Sequence, residues 1–335
     1  MSTIVLDAMG GDHSVDAAID GVLLALERGH ATPDSVILTG DEAVIRRALA
    51  DRGSDAAFRI VHAEDELGDI KSPVEAMRSR PRNSVALGIG LLQSGEAGAF
   101  VSAGNTGLVV ASAVRGLKCL EGIRRPGIAA TIHGESAPFT VIDVGANPQP
   151  KPLHLLHYAI MGSAYYREAF GTERPRVGLL NIGSEDSKGN PLAIESSQLL
   201  KQAQANFEFV GNVEGVDVFR GVCDVVVSDG FTGNVLLKVS EGTAEYLMRA
   251  FAGLLADAEV TSERQRTILQ SMNARVDFSE YGGALLLGIE GIVTICHGRS
   301  KGPAICNAIR VASQAVDAHV NQHIVDAARQ ASAAT

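Results

Sequence analysis

What limits the folds open to this chain is an alternation that starts at its first residues: short, β-rich apolar runs, then Gly, Asn or Asp turns, then stretches with helical periodicity. A strand over residues 3–9 precedes a helix over 15–27, and a strand over 35–39 precedes a helix from Glu42. Further strands are expected over 58–62, 99–102, 139–144, 176–182, 224–228 and 291–296. Several are apolar throughout, the pattern of strands covered on both faces. The alternation reads as βαβ units and predicts an α/β fold on a mostly parallel sheet.

No repeat, low-complexity tract or Pro/Ser-rich linker divides the chain, so one domain over 1–335 is expected, with a bilobed form left open. Two long helices, over 236–256 and 262–273, are expected to form a projecting hairpin. Leu247, Phe251, Leu254 and Leu255 fall on one face of the first by helical spacing. With 46% hydrophobic and 20% charged residues, the chain has the composition to bury a large core, which excludes disorder as a description of the whole. A formal net charge of -10 argues against a nucleic-acid partner, which calls for a basic footprint. The four cysteines form no C-x-x-C pair and the N-terminus carries no signal-peptide pattern, so a reducing cytoplasmic setting is expected. No apolar run reaches the roughly 18 residues of a membrane span, and a peripheral membrane contact stays open.

In an open parallel sheet, ligands bind beyond the carboxyl ends of the strands. The turns there are alike: Asp7-Ala8-Met9-Gly10-Gly11-Asp12, Ser102-Ala103-Gly104-Asn105-Thr106-Gly107, Asp143-Val144-Gly145-Ala146-Asn147, Lys188-Gly189-Asn190, Asp229-Gly230-Phe231-Thr232-Gly233-Asn234 and His297-Gly298-Arg299-Ser300. Glycines let backbone N–H groups come close to a ligand, Asn and Thr add directed donors, and a helix start favours negative charge. Together they describe an anion pocket, although each alone is also an ordinary turn sequence. Nucleotide fingerprints are missing: there is no G-x-x-x-x-G-K-[ST], and Gly88-Ile89-Gly90 has Gln93 where a third glycine would stand.

Six segments, residues 7–12, 102–107, 143–147, 179–190, 229–238 and 281–297, follow the order and residues of the signature segments of the bacterial phosphate:acyl-carrier-protein acyltransferases. The chain resembles that family over essentially its whole length. The resemblance implies a Rossmann-like α/β/α sandwich akin to isocitrate dehydrogenase and phosphotransacetylase, a homodimer, and no cofactor or metal. The implied reaction converts fatty acyl carrier protein and inorganic phosphate to acyl phosphate for phospholipid synthesis, ahead of an acyltransferase acting on glycerol 3-phosphate. The family's essential lysine falls on Lys188 and its essential asparagine on Asn234.

On this reading Lys188 supplies charge to phosphate, backbone amides at 104–107 and 145–147 complete a cradle, and Asn234 donates to the developing oxyanion. Phosphate or substrate contacts are expected from Asp7, Gly10, Gly11, Asp12, Ser102, Gly104, Asn105, Thr106, Gly107, Asp143, Gly145, Asn147, Asn190, Asp229, Thr232, Gly233 and His297. Plainer readings stand beside these. Asn234 would cap a helix beginning near Val235, Lys188 would be a solvated loop lysine, and the aspartates would cap turns rather than hold Mg²⁺. A Cys296/His297 thiol–base pair is disfavoured because strand neighbours point to opposite faces. The His154/His157 and His319/His323 pairs lack the glutamate of a zinc motif and are expected to be surface helix histidines.

Arg78, Arg80 and Arg82, with Lys118, Arg124 and Arg125, are candidates to meet the acidic carrier protein. The stretch Ser79-Arg80-Pro81-Arg82-Asn83-Ser84 departs from the family's more lysine-rich pattern, Ser184 stands where glutamate is usual, and Pro150 replaces a common cysteine. The hairpin carries Glu259, Glu263, Arg264, Gln265 and Arg266 rather than the apolar membrane foot of some relatives, so a packing role is expected of it. Competing functions are a phosphotransacetylase acting on acyl-CoA, a hydroxy-acid dehydrogenase of related fold, and a non-catalytic carrier-protein scaffold.

Overall fold

The computed structural model describes residues 2–68, 70, 72–203, 205–257, 262–276 and 282–333. The expected helix linker at 258–261, with Glu259, and the start of the last signature segment at Tyr281 lie outside the described residues. The strands are β1 (Ile4–Asp7), β2 (Val36–Gly40), β3 (Arg59–His62), β4 (Ala99–Ser102), β5 (Gly127–His133), β6 (Pro138–Ile142), β7 (Arg176–Leu180), β8 (Glu208–Val213), β9 (Val225–Val227), β10 (Ala284–Leu287) and β11 (Ile292–Ile295). The helices are α1 (Ser14–Glu27), α2 (Glu42–Asp51), α3 (Pro73–Ser79), α4 (Ser84–Gln93), α5 (Thr106–Gly116), α6 (Pro152–Phe170), α7 (Pro191–Gln202), α8 (Gly230–Asp257), α9 (Ser262–Val276), α10 (Gly302–Asp317) and α11 (Val320–Ala333).

All these strands join one sheet in the order β3-β2-β1-β4-β11-β10-β5-β6-β9-β7-β8. Strands β3, β2, β1, β4 and β11 are mutually parallel, as are β6, β9, β7 and β8. Between these halves, β10 pairs antiparallel with both β11 and β5, and β5 pairs antiparallel with β6. Three antiparallel steps reverse direction, so the two parallel halves run oppositely. Their carboxyl ends nevertheless meet, because the strands are staggered. Ile142, the last residue of β6, is paired with Ala129. Ile295, the last residue of β11, is paired with Ala284, one residue from Leu285, whose own partner is again Ala129.

Every strand expected from the sequence is present, and β5, β8 and β10 are additional. β5 and β10 lead into β6 and β11 as antiparallel neighbours with no crossover helix. They therefore lack the helix that makes the other strands legible.

Side chains alternate across the sheet and build two cores. Leu6, Leu38, Val101, Ala129 and Leu285 face a layer that includes α1, α6, α10 and α11. Val5, Ile37, Phe100, Ile128 and Leu286 face α4 and α5. The result is the α/β/α sandwich with a mostly parallel sheet that the sequence implied. Helices α8 and α9 pack against each other, with Gln265 Nε2 donating to the Ala252 carbonyl at 3.4 Å.

Of the α8 stripe expected to pack, Leu247 and Leu254 are 56% and 66% exposed within the chain. One expectation needs correction. His157 is not a surface histidine: it is buried, its Nδ1 accepts the Arg124 N–H at 3.1 Å, and burial pushes its pKa down to about 4. No helix among the described residues is long and apolar enough to cross a membrane.

Helix α4 lies against the sheet at Gly88, where an added Cβ would overlap the ring of Phe100, a fully buried side chain of β4. Overpacking at such a contact costs about 1–3 kcal/mol. Gly88→Ala is expected to lower the stability measured by urea unfolding by that amount, and an unchanged midpoint would show that α4 yields freely.

Candidate active site

The turns after β1 and β6 are built around buried carboxylates. Asp143 Oδ1 accepts the N–H groups of Ile128, Gly145 and Ala146 at 3.0, 3.0 and 2.9 Å, and Oδ2 accepts that of Asn147 at 2.7 Å. Asn147 Nδ2 donates to the Pro126 carbonyl and to the Tyr158 hydroxyl at 2.7 and 2.8 Å. Burial raises the Asp143 pKa, against the pull of those four N–H groups. The amides of Gly145 and Asn147 are thus committed to Asp143, which corrects the expectation that they complete a phosphate cradle. Gly230 and Gly233 are where α8 begins against this turn. A Cβ at Gly233 would overlap the Asp143 carbonyl, so its lack of a side chain serves helix packing.

Asp7, the last residue of β1, has a similar role. Its Oδ2 accepts the Ser102 hydroxyl at 2.7 Å, its Oδ1 accepts the Met9 N–H at 3.1 Å, and Ser102 Oγ accepts the Gly104 N–H at 3.0 Å. Burial raises the Asp7 pKa while its hydrogen bonds with Ser102, Ser84, Met9 and Gly10 oppose the shift. Gly10 lets this turn approach the backbone of Gly104, and the Asp12 N–H donates to the Gly298 carbonyl at 2.7 Å. The ends of β1, β4 and β11 are in this way tied into one rim.

Helix starts use the expected polar residues as caps. Asn105 Oδ1 accepts from the Leu108 N–H, Asn190 Oδ1 from Ala193, and Asp229 Oδ1 from Phe231 and Thr232. Thr232 Oγ1 also donates to Asp229 Oδ2 at 2.7 Å. Because Asp229 does this work at Gly230, Asn234 stands in the second turn of α8 and is not a cap. At the start of α5, the N–H groups of Thr106 and Gly107 have no acceptor among the described residues, and the helix dipole adds positive potential there.

Two cavities meet at Thr106. An open cleft of about 900 Å³ is lined by Asp7, Gly10, Gly11, Asp12, Gly104, Asn105 and Thr106 from the β1 and β4 ends, with Gly298 and the acidic run Glu64, Asp65 and Glu66. A narrower cavity of about 120 Å³ is lined by Thr106, Asn234, Lys238, Glu241, His297 and Ser300 over an apolar floor that includes Ile128, Val144 and Leu237. Asn234, Lys238 and Glu241 share one face of α8 by helical spacing.

Lys238 and Glu241 are the functional candidates that the sequence reading passed over. Four- and seven-residue spacing from Asn234 was the signal available. Glu241 Oε1 lies 2.7 Å from His297 Nε2 and Oε2 lies 3.2 Å from Lys238 Nζ. Burial alone would raise the Glu241 pKa, but His297 and Lys238 outweigh it and hold the carboxyl below its usual range. Cys296, beside His297 in sequence, is buried with its thiol directed at the Gly282 carbonyl and its pKa pushed up to about 12 by burial. Both residues lie just beyond β11, so burial rather than strand alternation makes this thiol inert.

Lys188 lies in the exposed β7–α7 turn, where its carbonyl accepts from Asn181 Nδ2 at 3.1 Å. It lines neither of the two cavities. Its neighbour Asn190 borders a shallow groove with Asp229 and Thr232 at the start of α8, while Asn234 faces the narrow cavity. Of the three arginines, Arg82 is ion-paired with Glu64 at 2.9 Å, both side chains being exposed.

The profile of a family described as "Fatty acid synthesis protein" matches residues 2–323. A phosphate acyltransferase of Pelotomaculum thermopropionicum is 41% identical over 317 residues, covering 94% of this chain and 91% of the relative. Those of Synechococcus elongatus and Bacillus licheniformis are 43% and 40% identical over 96% and 98% of this chain, and 93% and 98% of their own lengths. In fold, the chain is similar to a phosphotransacetylase from Streptococcus pyogenes (TM-score 0.64, 16% identity, 94% of each chain). It is also similar to a branched-chain phosphotransacylase from Enterococcus faecalis (TM-score 0.58, 14% identity, 94% of this chain and 99% of the other). With a family match over nearly the full length and relatives above 40% identity behind the same rim of strand ends, the chain belongs to the phosphate acyltransferase family.

Proposed function

We propose that the chain transfers a fatty acyl group from acyl carrier protein to inorganic phosphate in the cytoplasm, yielding acyl phosphate for phospholipid synthesis. The observation that carries this reading, beside family membership, is the meeting of two cavities at Thr106. Two helix-start amides there, unpaired among the described residues, offer an anion site next to Asn234 at the head of an apolar-floored cavity. Phosphate at the α5 start would face a thioester carbonyl entering beside Asn234. The Asn234 amide then donates to the tetrahedral oxyanion, a contribution whose loss costs about 10²–10³ in turnover. Lys188 would bring its charge from the β7–α7 turn as substrate binds, since catalytic contacts in an empty site are often long.

The partner surfaces follow from exposure. Phe231, Val235, Val239 and Tyr246 lie along one side of α8 by helical spacing and are 67%, 47%, 60% and 63% exposed, which supports burial of this stripe in a homodimer. For carrier-protein docking, Arg78 and Arg80 are the stronger candidates, because Arg82 is already opposed by Glu64.

Hydroxylamine trapping of acyl phosphate from palmitoyl-acyl carrier protein and phosphate tests the reaction. Wild type should form product, and folded Asn234→Ala should lose about 10²–10³ in kcat. A folded Lys188→Ala variant should lose activity as well, and full activity would return Lys188 to the role of a solvated loop residue. Activity with acyl-CoA but none with the carrier protein would favour a phosphotransacetylase. Val239→Lys is expected to shift sedimentation from dimer to monomer; a dimer of unchanged strength would move the interface elsewhere. Charge reversal at Arg78 and Arg80 should raise the KM for carrier protein several-fold, more so at low salt, and an unchanged KM would remove that docking surface.

A further inference from the structure

Glu241 places a carboxylate with a side chain only 4% exposed beneath three cationic or titratable partners. Lys238 Nζ and an Arg299 guanidinium nitrogen lie 3.2 and 3.7 Å from Oε2. His297 Nε2 stands 2.7 Å from Oε1, a close contact, although Oε1 has no aligned hydrogen bond. A carboxylate at that distance favours the tautomer with its proton on Nε2, which leaves the lone pair of the imidazole on Nδ1. Nδ1 in turn lies 3.3 Å from Lys238 Nζ, and the His297 side chain is 38% exposed. An imidazole held against a buried carboxylate, with its second nitrogen shared, among the described residues, only with a half-exposed lysine beside a cavity, is an arrangement by which proteins move protons during acyl transfer.

Acyl transfer to phosphate has a proton to move, and this inference rests on the functional reading above. We propose that His297 carries the proton from attacking phosphate to departing thiolate, and that Glu241 is the positioning residue that sets its tautomer and orientation. As an oxygen of HPO₄²⁻ bonds to the acyl carbon, Nδ1 accepts the phosphate proton. As the C–S bond breaks, its electron pair leaves on sulfur and the imidazolium returns the proton to it. Acyl phosphate and the carrier thiol are formed with no proton gained or lost and no further reactant. Lys238, whose side chain is 53% exposed, frees Nδ1 by turning toward the bound anion. The charged groups that face His297 are Lys238 and Glu241 from α8, with Arg299 and, through it, Glu245 at the outer edge.

The test uses the intact protein and the hydroxylamine assay. His297→Gly should lower kcat by about 10²–10⁴ while KM for phosphate stays within about twofold. Added imidazole should restore part of the rate, with substituted imidazoles following their basicity. A raised KM with kcat retained would make His297 a phosphate ligand and overturn the proposal, as would the absence of rescue. Glu241→Gln should also lower kcat, and the double variant with His297→Gly should be no slower than His297→Gly alone, because Glu241 acts through the imidazole. Independent, multiplying losses would overturn the positioning role, and thermal melts separate those losses from unfolding. Wild type that forms no acyl phosphate defeats the functional reading itself, whereas active wild type with unaffected variants defeats only this proposal.

Discussion

The candidate site depends on the stagger of β10 and β5 at the centre of the sheet. Two parallel halves that run in opposite directions would, in an unstaggered sheet, present their carboxyl ends at opposite edges. Here the ends of β6 and β11 both arrive at the level of Ala129. Helix starts belonging to both halves therefore border one cavity, with Thr106 after β4 and Asn234 after β9. The ligand site of an open α/β sheet ordinarily follows from one set of parallel strand ends. In this chain the candidate cavity is assembled from two sets, and the antiparallel strands between them are what make the assembly possible.

The rim that results is held by carboxylates that are buried away from solvent. Asp143 gathers four backbone N–H groups and Asp7 links β1 to β4 through Ser102. Taking a carboxyl group out of water is costly unless donors replace the lost hydration, and the tight, glycine-bearing turns supply those donors. The same turns that resemble anion cradles in sequence are thereby satisfied from within. What stays available to a ligand is a smaller set: the α5 amides at Thr106 and Gly107, and the α8 face that carries Asn234, Lys238 and Glu241. Glu241 extends the same logic to the narrow cavity, where a buried charge is opposed by His297 and Lys238 rather than by backbone.

Local sequence was a good guide wherever one element explains itself. The strands followed by a helix, the turns at their ends and the family's signature residues were all readable, because apolar runs, turn residues and helical spacing are properties of neighbours along the chain. Asp229 is a cap by residue type and position. Roles that depend on neighbours in space were not encoded locally. The amides of Gly145 and Asn147 could not be assigned to Asp143 from spacing, and His157 gave no sign of its burial beneath the Arg124 N–H. The start of α8 at Gly230, which removes Asn234 from the cap, was hidden by turn residues that also begin helices.

The amino-acid sequence by itself determined the α/β class, the parallel strands, the positions of the strand-end turns and membership of the family, since each is encoded in short-range pattern or in residues that recur in order. Tertiary structure alone decided which turns border the cavities and which are satisfied from within. It also decided that Glu241 on α8 meets His297 just beyond β11, a pairing of residues distant in sequence whose side chains come within 2.7 Å. The physical reason is that hydrogen bonds and ion pairs are satisfied by proximity, and proximity here is set by the register of β5 and β10, strands with no crossover helix to announce them.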